Sequence, residues 1–486
     1  MQFWTTIGLI LVLSAVGLTY EIAAGRVLAP YFGTSLLTWT TVIATVLAGF
    51  SLGSALGGFI AERAPSIAVA QVRTALLGTA VLMALSPTIL GLIHGSGARG
   101  TAGMMVAVVL TFFPASVLIT LPSPFLAKCA IDARPGREGS SLGIVLAAGS
   151  LGAILGAILA GFLTLPLIGS TATFAGCGAI TLVCLWFIRR SGSGSDGKGD
   201  RSSGPPSTAI AGAFAFIGFA GIAGAPACQY ESGLSCLHIE RQAGEIRLFS
   251  DRTLQAAEPA SQPDDVALSL PYVQWIWGRL DRDLGPAPSI LFVGGGGYTL
   301  PTTLLAQRPA ARAVAVEIDP LVTQVVRQHM PRASAMIRDT GFDGDGTGEG
   351  RLGIVHADAR VYINETDRRF DAAVMDAFSS SSVPAHLVTR ETYERLHAIV
   401  DGPVYVNLID TPDGPLARGV HTIMSSIYPN VQAVTGPVNA LGRANVLLAA
   451  SREPLPALDA LPEGYEVTQI SPGHLFTDDR GWVGHR

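Results

Sequence analysis

Four consecutive glycines, Gly294 to Gly297, follow an apolar β-branched run that begins at Ile290. A helix-compatible segment comes next, and a second apolar run, AVAVEID, ends in Glu317 and Asp319. This order predicts the first half of a nucleotide-binding βαβ unit. The glycines let the backbone approach a ligand closely, and an acidic side chain at the end of the second strand can hold a ribose diol.

The residues before this unit have the composition of a membrane domain. The 486-residue chain is 49% hydrophobic and 14% charged, whereas soluble proteins average about 25% charged residues. Apolar segments of spanning length, about 20 residues, predict a multi-span α-helical membrane domain of about six helices over 1–190. The first segment lacks a basic leading region and an A-x-A cleavage site, so we interpret it as a span and not as a signal peptide. The six segments are roughly 3–22, 35–61, 72–94, 102–121, 141–165 and 170–188.

Two further segments connect this region to the rest of the chain. Residues 191–207 form a Gly/Ser-rich linker, and residues 208–225, rich in Ala and Gly, are predicted as a seventh membrane helix. Basic residues concentrate in the loops on one side of the spans, which places the N-terminus and the linker in the cytoplasm. If the seventh segment spans the membrane, the domain over 226–486 lies outside. If that segment packs in the bundle or lies on the surface, the domain is cytoplasmic.

Charged residues and cysteines near the membrane allow more than one interpretation. Glu21 and Arg26 lie at the end of the first span, where they are either functional or a structural ion pair. Cys228 and Cys236 are eight residues apart and could close a disulfide, which requires an oxidising compartment. The alternative is two unconnected thiols. No zinc site is predicted, because His238 is the only nearby candidate ligand.

The second half of the chain has the pattern of an α/β domain. Short alternating runs after Tyr230 predict a small antiparallel sheet. Strands then alternate with helices, which predicts a parallel, doubly wound, Rossmann-like sheet.

The glycine run excludes two common ligand classes. The dinucleotide pattern G-x-G-x-x-G requires its third glycine at the sixth position, but Thr299 and Leu300 occupy that position in the two possible registers. No G-x-x-x-x-G-K-[ST] motif occurs, so ATP and GTP are disfavoured. A nucleoside site remains, with Glu317, Asp358 and Asp376 each following a predicted strand. For each Asp alone, the alternative is a helix N-cap.

Several ordered motifs carry a family resemblance: FVGGGG, VEID, HADAR, VMDAF and HLVTRETY, with Asp251 and Gln255 upstream in SDRTLQ. The domain resembles the spermidine synthase (polyamine aminopropyltransferase) family, which shares the fold of S-adenosylmethionine-dependent methyltransferases. With YEIAAGRVLAPYFG and GGFIAER included, nearly the whole chain resembles bacterial proteins in which a membrane domain precedes a spermidine synthase-like domain.

The resemblance implies a role for each matched residue. Asp376 would be the catalytic acid/base, Glu317 would bind the ribose, and Gln255 would touch the nucleoside. The co-substrate would be decarboxylated S-adenosylmethionine, or S-adenosylmethionine, with no metal. The remaining nucleoside-binding residues would be Gly294, Gly295 and Gly296 at the loop, and Asp358 with Ala359 at the adenine.

The chemistry of aminopropyl transfer explains the need for a carboxylate. An amine with a pKa near 10 is almost fully protonated at neutral pH, so a carboxylate must orient it and accept its proton. The sequence departs from the family at three places. Gly297 replaces an acid, Ser379 replaces a second carboxylate, and DDVALSLPYVQW lacks the family's Tyr-His pair.

Two other function classes remain open. One is an S-adenosylmethionine-type methyltransferase or another transferase that acts on an envelope or lipid substrate. The other is a transporter or sensor with a nucleoside- or polyamine-binding domain. The expected partners are a small-molecule amine or envelope substrate and membrane lipid, and a homo-oligomer is compatible with the sequence. The net charge of −5 and the lack of a basic, aromatic-rich cluster disfavour nucleic acid. The expected location is the bacterial cell membrane, with several spans.

Overall fold

A computed structural model describes most of the chain and divides it into two compact units, Met1–Cys236 and Leu237–Arg486. Residues 191–204 of the predicted linker lie outside the described residues. The described ranges are 2–32, 36–188, 205–223, 228–232, 234–251, 253–260, 268–345, 350–377, 384–439 and 442–479.

The N-terminal unit is helical. A π-helical segment, Leu159–Thr164, joins its seventh and eighth helices, and a two-residue strand, β1 (Tyr230–Glu231), follows its last helix. The helices are α1 (Phe3–Val27), α2 (Ala29–Phe32), α3 (Leu36–Ala61), α4 (Pro65–Gly95), α5 (Gly100–Thr120), α6 (Ser123–Asp132), α7 (Glu138–Ile158), α8 (Leu165–Phe187) and α9 (Ser207–Ala223).

Within the described residues, five helical stretches are long and apolar enough to cross a membrane. The last of them, Glu138–Phe187, is 50 residues long and contains two of the predicted segments. Gly169 interrupts the helix there, with φ 75° and ψ 175°. The seventh predicted segment is the shorter apolar helix α9, of 17 residues.

Close backbone contacts hold these helices together. A Cβ atom added at Gly53 or Gly57 of α3 would overlap carbonyl oxygens of α5 and of Leu121. Gly152 and Gly156 of α7 lie in the same way against carbonyls of α1. Small residues at four-residue spacing therefore allow these helix pairs to approach closely.

The charged residue Arg26 pairs with a residue that the sequence did not suggest. Its Nε lies 3.9 Å from Glu231 Oε1, in the segment that follows α9. Glu231 Oε2 also accepts hydrogen bonds from the amide (3.0 Å) and hydroxyl (3.1 Å) of Ser170, directly after the break at Gly169. Cys228 and Cys236 form a disulfide around this segment, with Cα atoms 5.3 Å apart. The carboxylate thus caps the second part of α8.

The C-terminal unit contains a small antiparallel sheet and a large mixed sheet. The small sheet pairs β2 (Cys236–Gln242), β3 (Glu245–Ser250) and β4 (Thr253–Pro259) in order. The strands of the large sheet are β5 (Ser289–Val293), β6 (Arg312–Glu317), β7 (Gly341–Asp343), β8 (Leu352–His356), β9 (Ala372–Met375), β10 (Val404–Asp410), β11 (Asn430–Thr435), β12 (Ala444–Ser451) and β13 (Glu466–Val467).

Helices separate most of these strands in the chain. A short 3-10 turn, Ala385–Leu387, precedes the helix that begins at Arg390. The helices are α10 (Pro271–Asp283), α11 (Thr299–Gln307), α12 (Pro320–His329), α13 (Pro331–Thr340), α14 (Ala359–Glu365), α15 (Arg390–Ile399) and α16 (Pro415–Ile427).

The strand order confirms the predicted Rossmann-like sheet. The order is β13-β11-β12-β10-β9-β5-β6-β8-β7, and the strands from β10 to β7 are parallel. Strand β12 runs antiparallel between β10 and β11. The chain leaves β5 towards β6 on one side and later returns to β9 on the other. This reversal opens a crevice at the carboxyl ends of β5 and β9, where open α/β sheets bind ligands.

Candidate active site

The glycine loop at the end of β5 includes left-handed backbone, which favours glycine. Gly294 has φ 97° and Gly296 has φ 49°. A Cβ atom at Gly294 would overlap the carbonyl oxygen of Asp376 on the neighbouring strand. On the other side of the loop, the nearest atom of the described residues to a Cβ at Gly296 would be the carbonyl oxygen of Gln255, at 3.9 Å. No described side chain therefore covers the backbone at Gly296, and a ligand cradle requires such bare backbone.

Glu317, at the end of β6, lies directly behind this loop. One carboxylate oxygen accepts the amide of Gly295 at 2.9 Å and the other accepts the amide of Asp319 at 2.9 Å. The residue is buried, and burial raises the pKa of its carboxyl above the ordinary value while these hydrogen bonds oppose the rise. The amide of Gly296 also donates to this carboxylate. A carboxylate has about four acceptor sites, so Glu317 can still accept one hydroxyl of a ribose.

Tyr298 follows the glycines and points into the interior. Its hydroxyl lies 2.7 Å from Thr323 Oγ1, which in turn lies 2.9 Å from His356 Nε2. Burial raises the pKa of the phenol above its usual range. The ring is fully buried and packs against Gly295 of the loop.

Strand β4 packs tightly on the fourth glycine. A Cβ atom at Gly297 would overlap Cβ of Ala256 and would approach Met330 Cε at 3.3 Å. The position at which the resembled family carries an acid is therefore closed to any side chain by the packing of β4.

Asp358 begins helix α14 at the carboxyl end of β8. Its Oδ1 accepts the amides of Arg360 at 2.7 Å and Val361 at 3.4 Å, and its Oδ2 lies 3.0 Å from His386 Nε2. Ala359 is the buried first residue of the helix. Asp358 is thus a helix N-cap, the alternative considered from the sequence, and its second oxygen also contacts a histidine.

Asp376 follows β9, and its carboxyl lies at the same edge of the sheet as the glycine loop. Its Oδ1 accepts a hydrogen bond from Asn407 Nδ2 at 2.8 Å, and the hydroxyl of Tyr272 donates to the same carboxylate. Burial raises the pKa of Asp376 to about 6, and the two hydrogen bonds oppose this rise. The group can therefore exchange a proton near neutral pH.

A cavity joins some of the predicted residues and not others. Gln255, the four glycines, Tyr272 and Asp376 are among the residues that line it. Glu317 bonds to the cavity wall through the amides of Gly295 and Gly296. Asp358 follows β8, two strands from β5 in the sheet. Ser379, the position of the family's second carboxylate, lies outside the described residues.

Sequence reasoning missed two residues at this site. Tyr272 occurs in the segment interpreted as lacking the family's Tyr-His pair, yet it bonds to Asp376. Asn407 is the one amide side chain within the buried run VYVNL, and an amide isolated in a buried strand is a signal that could have identified it.

The chain is similar in sequence to proteins named polyamine aminopropyltransferase. No protein-family model matches the chain. It is 26% identical over 251 residues to the polyamine aminopropyltransferase of Vibrio vulnificus, which covers 44% of this chain and 78% of that protein. It is 25% identical over 149 residues to polyamine aminopropyltransferase 2 of Pseudomonas aeruginosa, which covers 29% of this chain and 40% of that protein. The polyamine aminopropyltransferase of Korarchaeum cryptofilum is 26% identical over 119 residues, covering 24% of this chain and 34% of that protein.

Solved structures are also similar to part of the chain. A probable spermidine synthase from Corynebacterium glutamicum has a TM-score of 0.40 at 20% identity and covers 48% of this chain and 82% of its own. The spermidine synthase of Thermotoga maritima has a TM-score of 0.35 at 18% identity, over 46% of this chain and 72% of its own. The sequence relatives, the strand order and the glycine loop together support a transferase of the spermidine synthase type, and the chain is a spermidine synthase-like protein with apolar helices at its N-terminus.

Proposed function

We propose that this protein is a membrane-bound aminopropyltransferase that transfers an aminopropyl group from decarboxylated S-adenosylmethionine to a polyamine. One observation carries the proposal: the bare glycine loop and the Asp376 carboxyl line one cavity at the strand-order reversal. A nucleoside-binding loop and a proton acceptor are the two parts that this reaction requires. The names of the sequence relatives support the same reaction class.

The loop side of the site would hold the nucleoside. The open face of Gly296 allows close approach, Glu317 would accept the ribose hydroxyls, and Gln255 lies at the cavity wall. Asp358 would reach the adenine with the oxygen that now faces His386. These roles are the ones implied by the resemblance, and the contacts above leave the needed acceptor atoms in place.

Asp376 would act on the amine. The ionised carboxylate accepts a proton from the acceptor ammonium, and the nitrogen lone pair then attacks the aminopropyl carbon next to the sulfonium. A C–N bond forms, the C–S bond breaks, and the electron pair stays on sulfur, so that methylthioadenosine leaves as a neutral thioether. Because the sulfonium is already a good leaving group, alignment of the two reactants supplies much of the acceleration.

We place the catalytic unit on the outer side of the bacterial cell membrane. The disulfide between Cys228 and Cys236 supports an oxidising compartment for the segment that enters this unit. The apolar helix α9 supports an additional crossing, since its 17 residues span about 25 Å at 1.5 Å per residue.

The test uses the full chain, purified in detergent or nanodiscs. It is incubated with a polyamine and either decarboxylated S-adenosylmethionine or S-adenosylmethionine, and methylthioadenosine and S-adenosylhomocysteine are measured. We expect methylthioadenosine with the decarboxylated donor, and its loss in Asp376→Asn. Asp339→Asn, at an exposed carboxylate on α13, is the matched control and should retain turnover. S-adenosylhomocysteine as the sole product would replace the proposal by a methyltransferase, and no product from either donor would refute both.

A further inference from the structure

Two asparagine side chains lie in series behind the Asp376 carboxylate. Asn407 Nδ2 donates to Asp376 Oδ1 at 2.8 Å, and Asn445 Nδ2 donates to Asn407 Oδ1 at 2.8 Å. Asn407 is 3% exposed and Asn445 is half-buried. Both ends of the buried amide are therefore satisfied, one by the carboxylate and one by the second asparagine.

The strand register explains why the three side chains meet. Strand β10 runs parallel to β9 with Val406 opposite Met375, so the next residue on each strand brings Asn407 beside Asp376. Strand β12 runs antiparallel on the other side of β10, with Leu447 opposite Asn407. Asn445 lies two residues from Leu447 and so on the same face, at the diagonal position that long side chains reach.

An amide has a donor end and an acceptor end of nearly equal size. Asn407 alone could present either end to Asp376, and an oxygen there would repel the ionised carboxylate. The amide hydrogen of Asn445 holds the oxygen of Asn407, and this leaves only the donor end for Asp376. We infer that Asn445 is a positioning residue that acts through Asn407 to keep a hydrogen-bond donor on the Asp376 carboxylate. Its importance for turnover rests on the proposed function, in which Asp376 accepts a proton.

Asn407 and Asn445 act on the ionisation of Asp376 separately from the other groups around its carboxylate. Among the described residues, the titratable side chain that bonds to Asp376 is Tyr272 of α10, which itself lies near Tyr465. The glycine loop supplies backbone only. Asp410 of β10 is directed to the amides of Thr411 and Ala417, so Asn407 is the polar contact that β10 makes with Asp376.

The test reads the ionisation of Asp376 without turnover. Infrared spectra of the full chain in nanodiscs are recorded from pH 4 to pH 9, and the carboxyl band that is absent in Asp376→Asn is followed. In Asn445→Ala and Asn445→Val we expect the midpoint to rise by about one pH unit, since a hydrogen bond to a charged group is lost or reversed. Asn407→Ala should give a similar or larger rise, and the double variant Asn407→Ala/Asn445→Ala should shift no further than Asn407→Ala alone.

A matched control and a second readout separate this inference from the proposed reaction. Asn430→Ala removes an asparagine of the same sheet whose amide bonds to the carbonyl of Arg452, and it should leave the Asp376 midpoint unchanged. If both Asn445 variants titrate like the wild type, or if the two substitutions add fully, the inference is wrong whether or not the enzyme turns over. If the midpoint shifts as expected but no donor is consumed, the inference holds and the proposed reaction fails.

Discussion

Asp376 combines two conflicting demands at the scale of a single residue. Removal of water from around the carboxyl disfavours its charged form, and yet the carboxyl must ionise to accept a proton. Burial raises its pKa from 3.8 to about 6, with Asn407 and Tyr272 limiting the rise. The two hydrogen-bond donors thus stabilise the charged carboxylate and offset part of the effect of desolvation on its pKa.

Asp376→Asn should stabilise the protein at neutral pH while it abolishes turnover. A carboxyl whose pKa is raised by folding stabilises the folded state below its unfolded pKa of 3.8, and this contribution is lost as pH rises through about 6. The neutral amide avoids that loss, which is on the order of 1 to 3 kcal/mol for such a shift. Thermal unfolding of the full chain should show a higher Tm for the variant at pH 7.5 and little difference near pH 4. An equal Tm difference at both pH values would contradict the assigned burial cost.

Gly297 is a second residue at which packing decides the chemistry. Gly297→Asp would restore the acid of the resembled family, but its Cβ overlaps Ala256. We expect a loss of about 1 to 3 kcal/mol, the usual cost of overpacking, measured as a lower Tm. The double variant Ala256→Gly/Gly297→Asp should recover part of the loss, because the overlapping Cβ is gone. A Gly297→Asp protein as stable as the wild type would show that β4 yields easily.

At the scale of elements, the residue that caps the start of a helix can also be the residue that contacts a ligand. Asp319 and Asp358 follow the neighbouring parallel strands β6 and β8 and cap α12 and α14. Because a strand that ends at the carboxyl edge is followed by a helix, the first polar side chain there is both an N-cap and a possible ligand contact. From the sequence alone the two roles cannot be separated.

Substitution at Asp358 can separate them. Asparagine is as good an N-cap as aspartate, so Asp358→Asn should leave stability nearly unchanged and should weaken methylthioadenosine binding if the charged oxygen contacts the ligand. Asp358→Ala removes the cap as well and should cost about 0.5 to 2 kcal/mol. Calorimetric titration and thermal unfolding of the full chain check the two effects. Unchanged binding in Asp358→Asn would leave Asp358 with its capping role alone.

At the scale of the whole molecule, the disulfide bears on both stability and location. It closes a short loop whose Glu231 caps α8 after the break at Gly169 and lies beside Arg26. The loop joins a segment after α9 to two helices distant in the chain. Loss of the disulfide should therefore weaken the contacts of Glu231 with Ser170 and with Arg26.

Two measurements follow for the cysteine pair. A disulfide that closes a loop of this size contributes about 2 to 3 kcal/mol in the chain-entropy model, so reductant should lower the Tm of the wild type but not that of Cys228→Ser/Cys236→Ser. In intact cells, a membrane-impermeant thiol reagent should label the wild type only after reduction, with the double variant as background for Cys129, Cys177 and Cys184. Labelling only after the cells are lysed would place the segment in the cytoplasm and contradict the proposed outer location.

Composition and local pattern alone determined the apolar helices, the parallel sheet, the glycine loop and the acidic residues at strand ends. These follow from the sequence because burial, helix period and glycine conformations are local properties. Only the tertiary structure decided that Arg26 pairs with Glu231, that β4 closes the space at Gly297, and that Tyr272 and two asparagines meet Asp376. Each of these contacts joins residues far apart in the chain, and their meeting depends on strand register and helix packing, which no local pattern encodes.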